Sequence, residues 1–183
     1  MPNRTTSAAA DERGPKLSLL PNGLQVLVQE DCRFPLAVMR MYIRAGSAFE
    51  GPEEAGISHL LEHMAFKGSK RRTAGQAALD IESVGGEVNA ATGFDHTVYM
   101  VELPANHWQL GLEILQDLCF DPLLDEEEFS KEKEVVLAEL ERNEDNPKRG
   151  LFELLQKSVW SGTEYARPVI GSRQTVNDIP SRA

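Results

Sequence analysis

Cysteine and positive charge are both scarce in this sequence, and each shortage excludes a class of protein. Two cysteines, Cys32 and Cys119, occur among 183 residues, far apart and outside any CxxC pattern. A disulfide-rich secreted scaffold is therefore excluded, and a reducing compartment is the default. Lysine and arginine number 19 against 29 aspartates and glutamates, which gives a net charge of −10. Nucleic acids and anionic membranes are disfavoured as partners, because both attract clustered positive charge.

Long apolar runs are also missing. No stretch approaches the roughly 18 consecutive apolar residues that are needed to cross a bilayer. Residues 1–16 lack the apolar segment of a secretory signal, and Asp11 and Glu12 argue against a transit peptide. We therefore expect residues 1–16 to form a flexible arm, residues 17–183 to form one domain, and the protein to be cytoplasmic.

The apolar patterns that are present predict an α+β fold. A turn signal, Pro21-Asn22-Gly23, separates two apolar runs and predicts a hairpin. Strands are predicted over residues 17–20, 24–28, 38–44, 87–92 and 97–103. Helices are predicted over residues 57–67, 73–84, 106–119, 125–143 and 151–160, and the tail from Gly162 is predicted to be a loop. Hairpins mixed with segregated helices favour α+β over a doubly wound parallel sheet.

Two of these helices carry more specific predictions. Thr73, with Gln76 three residues later, matches a capping box that would open its helix. The helix over residues 106–119 carries one apolar stripe at helical spacing, which predicts a face packed into the core. The members of the stripe are Trp108, Leu112, Leu115 and Cys119.

A candidate metal site lies in the sequence HLLEH, residues 59–63. At ~100° per residue, His59 and His63 lie about 40° apart on a helix, so both imidazoles can reach one Zn²⁺ ion. Glu62 borders the same face and can approach a water molecule at the metal. The order HxxEH is the reverse of the zinc-peptidase pattern HExxH. The five residues alone leave open a pair of hydrogen-bonded structural histidines.

A catalytic zinc site usually takes three protein ligands and leaves a fourth position for water. The acidic helix over residues 125–143 offers the third ligand. Glu132 and Glu139 are seven residues apart and share a helical face within about 20°. One of them can bind the metal while the other supports a ligand. Spacing alone does not choose between them, and it leaves open that both are solvated surface residues.

Five sequence motifs follow one another along the chain: RAGS at 44–47, HLLEHMAFKGS at 59–69, GGEVNAAT at 85–92, EKEVVLAEL at 132–140 and PVIG at 168–171. In this order they resemble the pitrilysin family, also called inverzincins, which includes insulin-degrading enzyme and the mitochondrial processing peptidase. The family places a glutamate about 76 residues after the second histidine. Here that residue is Glu139. The likeness runs from about Leu17 to Ile179.

The resemblance implies a fold, a cofactor and a site. The fold would be a pitrilysin/LuxS-like metallohydrolase domain, a mostly antiparallel sheet with helices packed on one side. One Zn²⁺ ion per chain would be held by His59, His63 and Glu139. Glu62 would be the general base, and Glu132 would support a ligand. The strand segment Asn89, Ala90 and Ala91 would bind an extended peptide by β-augmentation.

By the same resemblance, the chain would be a zinc-dependent endopeptidase domain acting on peptides or unfolded polypeptide segments. Family enzymes pair two or more related domains around the peptide, so we expect a second pitrilysin-type domain or subunit as a partner. The chain resembles a family N-terminal domain that is truncated at its C-terminus. Two alternatives stay open: a fragment or non-catalytic subunit that binds peptides or a partner, and a metal-binding domain with no peptide role.

Overall fold

The computed structural model describes residues 14–181, which fall into two compact units. The first unit ends at Pro35 and the second begins at Leu36. Residues 1–13 lie outside the described part, so the predicted arm over residues 1–16 and domain over residues 17–183 stay predictions. Within the described residues, no helix has the length and apolar character to span a membrane.

The first unit contains the hairpin that the turn signal predicts. Strands β1 (Lys16–Leu19) and β2 (Gln25–Val28) pair in antiparallel register, with Leu19 opposite Gln25. Asn22 Oδ1 accepts a hydrogen bond from the Leu24 amide at 3.1 Å and so helps to close the turn. The asparagine in the turn therefore acts through a local side-chain-to-backbone bond.

The second unit is built on a three-stranded antiparallel sheet, which confirms the three remaining predicted strands. The strands are β3 (Leu36–Ile43), β4 (Glu87–Thr92) and β5 (Thr97–Pro104), in the order β3-β5-β4. Alternate residues of β5 are buried, whereas Glu102 is exposed. One face of the sheet therefore meets the core. Strand β4 lies at an edge of this sheet.

The helices pack against that one face and against each other, and the predicted α+β architecture is confirmed. A cluster around Ile81, Val101 and Ile114 fills the space between sheet and helices. A second cluster, which includes Leu60 and Val136, joins three of the helices to one another. The helices are α1 (Ile57–Ala65), α2 (Gln76–Ser83), α3 (Trp108–Phe120), α4 (Glu126–Glu144), α5 (Pro147–Val159) and α6 (Arg173–Asp178).

The apolar stripe predicted on α3 is half right: Leu115 is buried and Cys119 packs against the core cluster, but the other two members do neither. Trp108 and Leu112 are about half exposed, and the face turned to the core holds Gly111, Ile114, Leu115 and Leu118. A Cβ atom at Gly111 would lie 2.8 Å from Met39 Cε, so the missing side chain lets the helix approach the sheet closely. The glycine therefore selects the buried face, although it contributes nothing to a hydrophobic pattern.

Three local predictions are also wrong: two concern the start of a helix, and the third concerns the tail after Gly162. Gly75, not Thr73, is the N-cap of α2, and no side chain caps that end. Helix α5 begins at Pro147, four residues before the predicted start, because Asn146 caps it and proline is tolerated in the first turn. The tail after Gly162 is not all loop. Helix α6 forms there with a capping box between Ser172 and Thr175.

Candidate metal centre

Helix α1 carries the HLLEH sequence, and a buried acid fixes its start. Glu50 is 7% exposed, and its carboxylate accepts hydrogen bonds from the backbone amides of Gly56 and Ser58 at 2.9 and 2.8 Å. An anion at the positive end of a helix stabilises that end. Gly56 has φ 99°, and a Cβ atom there would lie 2.6 Å from Ile170 O. The sequence patterns gave no indication of the Glu50 interaction.

The structure brings His59 and His63 together with Glu139 of α4. The Nε2 atoms of His59 and His63 lie 3.8 and 3.7 Å from the same oxygen, Oε2 of Glu139. One ligand atom from each residue lies within 4.8 Å of the other two. Ligand atoms around a tetrahedral zinc ion stand about 3.3 Å apart. The two distances to Glu139 Oε2 are therefore within about 0.5 Å of the value expected with a bound ion.

Glu132 lies on the same face of α4 as Glu139, about two turns earlier, and contacts the other ring nitrogen of His63. Its Oε2 is 3.0 Å from His63 Nδ1, and the residue is 4% exposed. A carboxylate only accepts hydrogen bonds, so Nδ1 is the donor in this contact, and Nε2 is the ring nitrogen that remains to bind a metal. The other oxygen, Oε1, lies 2.6 Å from Lys67 Nζ. The sequence patterns did not indicate a role for Lys67.

His59 has the protonation state that a metal ligand requires. Burial lowers the pKa of this imidazole, and the nearby His63 lowers it further, although the carboxylates of Glu139 and Glu62 oppose the shift. The neutral ring is therefore favoured at neutral pH, and neutral imidazole is the form that binds metals. Its buried Nδ1 has no hydrogen-bond partner within residues 14–181. Two imidazole nitrogens and one carboxylate oxygen form a donor set that suits Zn²⁺.

Glu62 is held beside these side chains by the edge strand. Its Oε2 accepts a hydrogen bond from Thr92 Oγ1 at 2.5 Å. Thr92 ends β4, and its neighbour Thr97 on β5 donates to the carbonyl of Ala45 at 2.9 Å. The hydroxyl of Thr92 therefore fixes one oxygen of the carboxylate and leaves Oε1 available. Thr92 belongs to a family motif, but the sequence alone did not pair it with Glu62.

The predicted peptide-binding segment lies on β4, but its side chains divide between two faces. Asn89 and Ala91 are exposed, whereas Ala90 is half-buried and packs against the core cluster. Asn89 Oδ1 accepts a hydrogen bond from the Ala90 amide at 2.8 Å. The backbones of the three residues therefore lie along one edge of the sheet, but their side chains do not form one surface.

An apolar cleft of about 550 Å³ also borders α1, on the side of Leu60 and Met64. Its lining includes Phe129 and Ile179 and holds no ionisable side chain. Such a cleft can bind apolar groups but offers no metal ligand and no acid or base. The residues of the histidine and glutamate cluster are not among those that line this cleft.

Comparisons with known proteins agree with the motifs. A family model described as Insulinase (Peptidase family M16) matches residues 25–173. An "uncharacterized zinc protease" of Rickettsia felis is 36% identical over 161 residues, which are 88% of this chain and 39% of that protein. Mitochondrial-processing peptidase subunit beta of Bos taurus is 32% identical over 180 residues, which are 96% of this chain and 36% of that protein.

Solved structures share the fold. A protease from Helicobacter pylori has a TM-score of 0.87 and 26% identity, over 92% of this chain and 41% of that one. The periplasmic protease PqqL from Escherichia coli has a TM-score of 0.84 and 26% identity, over 93% of this chain and 20% of that one. The sequence thus spans at most about two fifths of these relatives. The family match covers most of the chain and confirms the resemblance in its motifs: this chain belongs to the insulinase family, peptidase family M16.

Proposed function

We propose that this chain is a zinc-dependent peptidase domain with its metal held by His59, His63 and Glu139. The observation that carries the proposal is the convergence of both Nε2 atoms on one oxygen of Glu139, at 3.8 and 3.7 Å. Relatives that carry the name zinc protease support the choice of metal. Two nitrogens and one oxygen leave a fourth tetrahedral position for water, as catalytic zinc sites require.

The proposed reaction is hydrolysis of a peptide bond by water. When bound, the zinc ion lowers the pKa of a water molecule and polarises the scissile carbonyl. Glu62 accepts the proton of the attacking water at Oε1, because Thr92 occupies Oε2. The same carboxyl group then returns the proton to the leaving amine. Glu132 keeps the proton of His63 on Nδ1, so that Nε2 stays a ligand.

The proposed substrate is a peptide or an unfolded polypeptide segment in extended form. Strand β4 lies at a sheet edge, and an extended peptide can add to such an edge by backbone hydrogen bonds. Asn89, Ala90 and Ala91 would supply that edge, and Ala91 presents only a methyl group on the exposed face. Binding requires that the Ala90 amide exchange its bond to Asn89 Oδ1 for one to the peptide.

A second domain or subunit of the same family is proposed as the partner. The relatives are much longer than this chain, which spans 39% of the Rickettsia felis protein. Closing an active site around its substrate expels bulk water and strengthens the electrostatic interactions inside the site. We therefore propose that a second related domain covers the open side of the metal centre.

Hydrolysis of an internally quenched peptide tests the proposal. The zinc-loaded chain is assayed beside Glu62→Gln, with Glu82→Gln on the exposed face of α2 as a matched control. General-base catalysis contributes about 10²–10⁴ in rate, so Glu62→Gln should lose at least about 100-fold. Its zinc content should equal that of the wild type. Undiminished cleavage by Glu62→Gln would refute the assigned base, and no cleavage by the zinc-loaded wild type would refute activity of this chain without its proposed partner domain.

A further inference from the structure

We propose that Lys67 is a positioning residue of the metal centre, which acts through Glu132 on His63. The inference rests on the proposed function, because it assumes that His63 Nε2 binds the metal. Lys67 itself lies away from the ligand atoms and contacts neither His59 nor Glu139 among the ion pairs of the described residues. Its contribution concerns the orientation of one ligand and not coordination.

The geometry is a bridge of two short contacts. Lys67 Nζ lies 2.6 Å from Glu132 Oε1, and Glu132 Oε2 lies 3.0 Å from His63 Nδ1. Each oxygen of the carboxylate therefore has its own partner. Lys67 comes four residues after His63, just past the end of α1, where its backbone amide donates to Met64 O. One carboxylate from α4 thus links two side chains on the same side of α1.

Charge explains why the bridge needs a lysine. The Glu132 side chain is 5% exposed, whereas that of Lys67 is 31% exposed. A buried carboxylate is costly unless it is paired with a positive group and fully hydrogen-bonded. Lys67 is the one lysine or arginine paired with Glu132 in the described part of the chain. Its ammonium group stabilises the carboxylate in the rotamer that faces His63, and water solvates the rest of the ammonium group.

Orientation of His63 is the property that the bridge controls. The hydrogen bond to Glu132 fixes both the tautomer and the ring plane of His63. Without Lys67, Glu132 Oε1 loses its partner, and the carboxylate gains freedom to turn away from Nδ1. His63 would then sample ring orientations in which Nε2 no longer meets Glu139. Loss of an outer partner of a metal ligand typically weakens metal binding by about 10–100-fold.

Zinc affinity of the full 183-residue chain, measured by competition with a chromophoric chelator, tests the inference without any assay of catalysis. Lys67→Met keeps the aliphatic stem and should weaken zinc binding about 10–100-fold. Lys67→Arg keeps the positive charge, and its zinc affinity should stay within about threefold of that of the wild type. Lys70→Met is the matched control, since Lys70 is 72% exposed and pairs with Asp121. It should bind zinc as the wild type does.

A double-substitution cycle separates positioning from general destabilisation. In a Glu132→Gln background, Lys67→Met should change zinc affinity by less than about twofold, because the bridge is already broken. The Co²⁺-substituted chain adds a spectroscopic readout, since a displaced ligand alters the visible absorption of the ion. Lys67→Gln provides a second test if Lys67→Met fails to fold, because its amide can still donate to Glu132. Its affinity should fall between those of the wild type and Glu132→Gln.

Three results would overturn the inference. Wild-type affinity and an unchanged Co²⁺ spectrum in Lys67→Met would show that the ion pair has no influence on the site. If Lys67→Met weakened zinc binding as much in the Glu132→Gln background as in the wild type, Lys67 would act by another route. Absence of zinc binding by the wild type would remove the proposed function itself, and the inference with it. That last result differs from the first two, in which the wild type binds zinc normally.

Discussion

The hydrogen bond between Thr92 and Glu62 should be measurable in the unfolding of the metal-free chain. Thr92→Val keeps the shape of the side chain but removes the hydroxyl that donates to Glu62 Oε2 at 2.5 Å. Hydrogen bonds to charged groups contribute about 1.5–3 kcal/mol. Both residues are only partly buried, so solvent replaces part of the loss. We expect the free energy of unfolding to fall by about 1.5 kcal/mol, at the lower end of that range.

Urea unfolding followed by far-ultraviolet circular dichroism, in the presence of a chelator, gives the required free energies. Thr92→Ser keeps the hydroxyl group and serves as the control for the lost methyl group. In a Glu62→Ala background, Thr92→Val should cost less than about 0.5 kcal/mol, because the acceptor is gone. Equal costs of Thr92→Val in the two backgrounds would refute the pairing. In the zinc-loaded chain, Thr92→Val should slow peptide hydrolysis and leave zinc affinity unchanged.

Two further predictions concern a buried ion pair and a partly buried thiol. Asp117 is 1% exposed and pairs with Arg72. Arg72→Met should lower the free energy of unfolding, measured in urea, by about 3 kcal/mol, the lower end of the range for breaking a buried ion pair, because Asp117 keeps only its longer contact to the more exposed Arg71. Arg71→Met should cost at most about 1 kcal/mol, since Arg71 is 47% exposed and 3.3 Å from Asp117. Equal losses of unfolding free energy in Arg72→Met and Arg71→Met would contradict the assignment of Arg72 as the main partner of Asp117. Burial raises the pKa of Cys119 to about 12, whereas Cys32 is exposed. Iodoacetamide at pH 8 should therefore modify one thiol in the native chain and two in guanidinium chloride, as counted by mass spectrometry; modification of both native thiols would contradict this burial.

Strands were predictable from this sequence because the side chains of a strand alternate between two faces, which gives a pattern that repeats every two residues. In β3, the alternation of exposed and half-buried residues is visible directly in the letters, with Met39 and Met41 on the inward face. Helix faces were less predictable. The inward face of α3 is set by Gly111, which lacks a side chain, and by Asp117, which is charged but paired with arginines. Neither residue contributes to an apolar stripe, so periodicity placed Leu115 and Cys119 correctly but wrongly assigned Trp108 and Leu112 to the core.

The predictable part of the candidate metal centre was the pairing of residues within one helix. His59 and His63 share a face of α1, and Glu132 and Glu139 share a face of α4, so spacing within each helix anticipated the pairs. The choice of Glu139 as the third ligand came from the family resemblance and not from spacing.

Contacts between distant elements were not predictable in this way. Thr92 reaches Glu62 from the edge strand, and Glu50 reaches the start of α1 from a preceding loop. Lys67 meets Glu132 across 65 residues of sequence. These contacts depend on how strands and helices pack, and no local pattern of residue types encodes them.

Zinc content per chain tests the central claim most directly. Elemental analysis after reconstitution and dialysis should give one zinc ion per wild-type chain. His63→Ala and Glu139→Gln should each retain much less than one, whereas Glu134→Gln, on the exposed face of the same helix, should match the wild type. A wild-type chain without zinc, or full occupancy in both ligand variants, would contradict the three-residue metal centre.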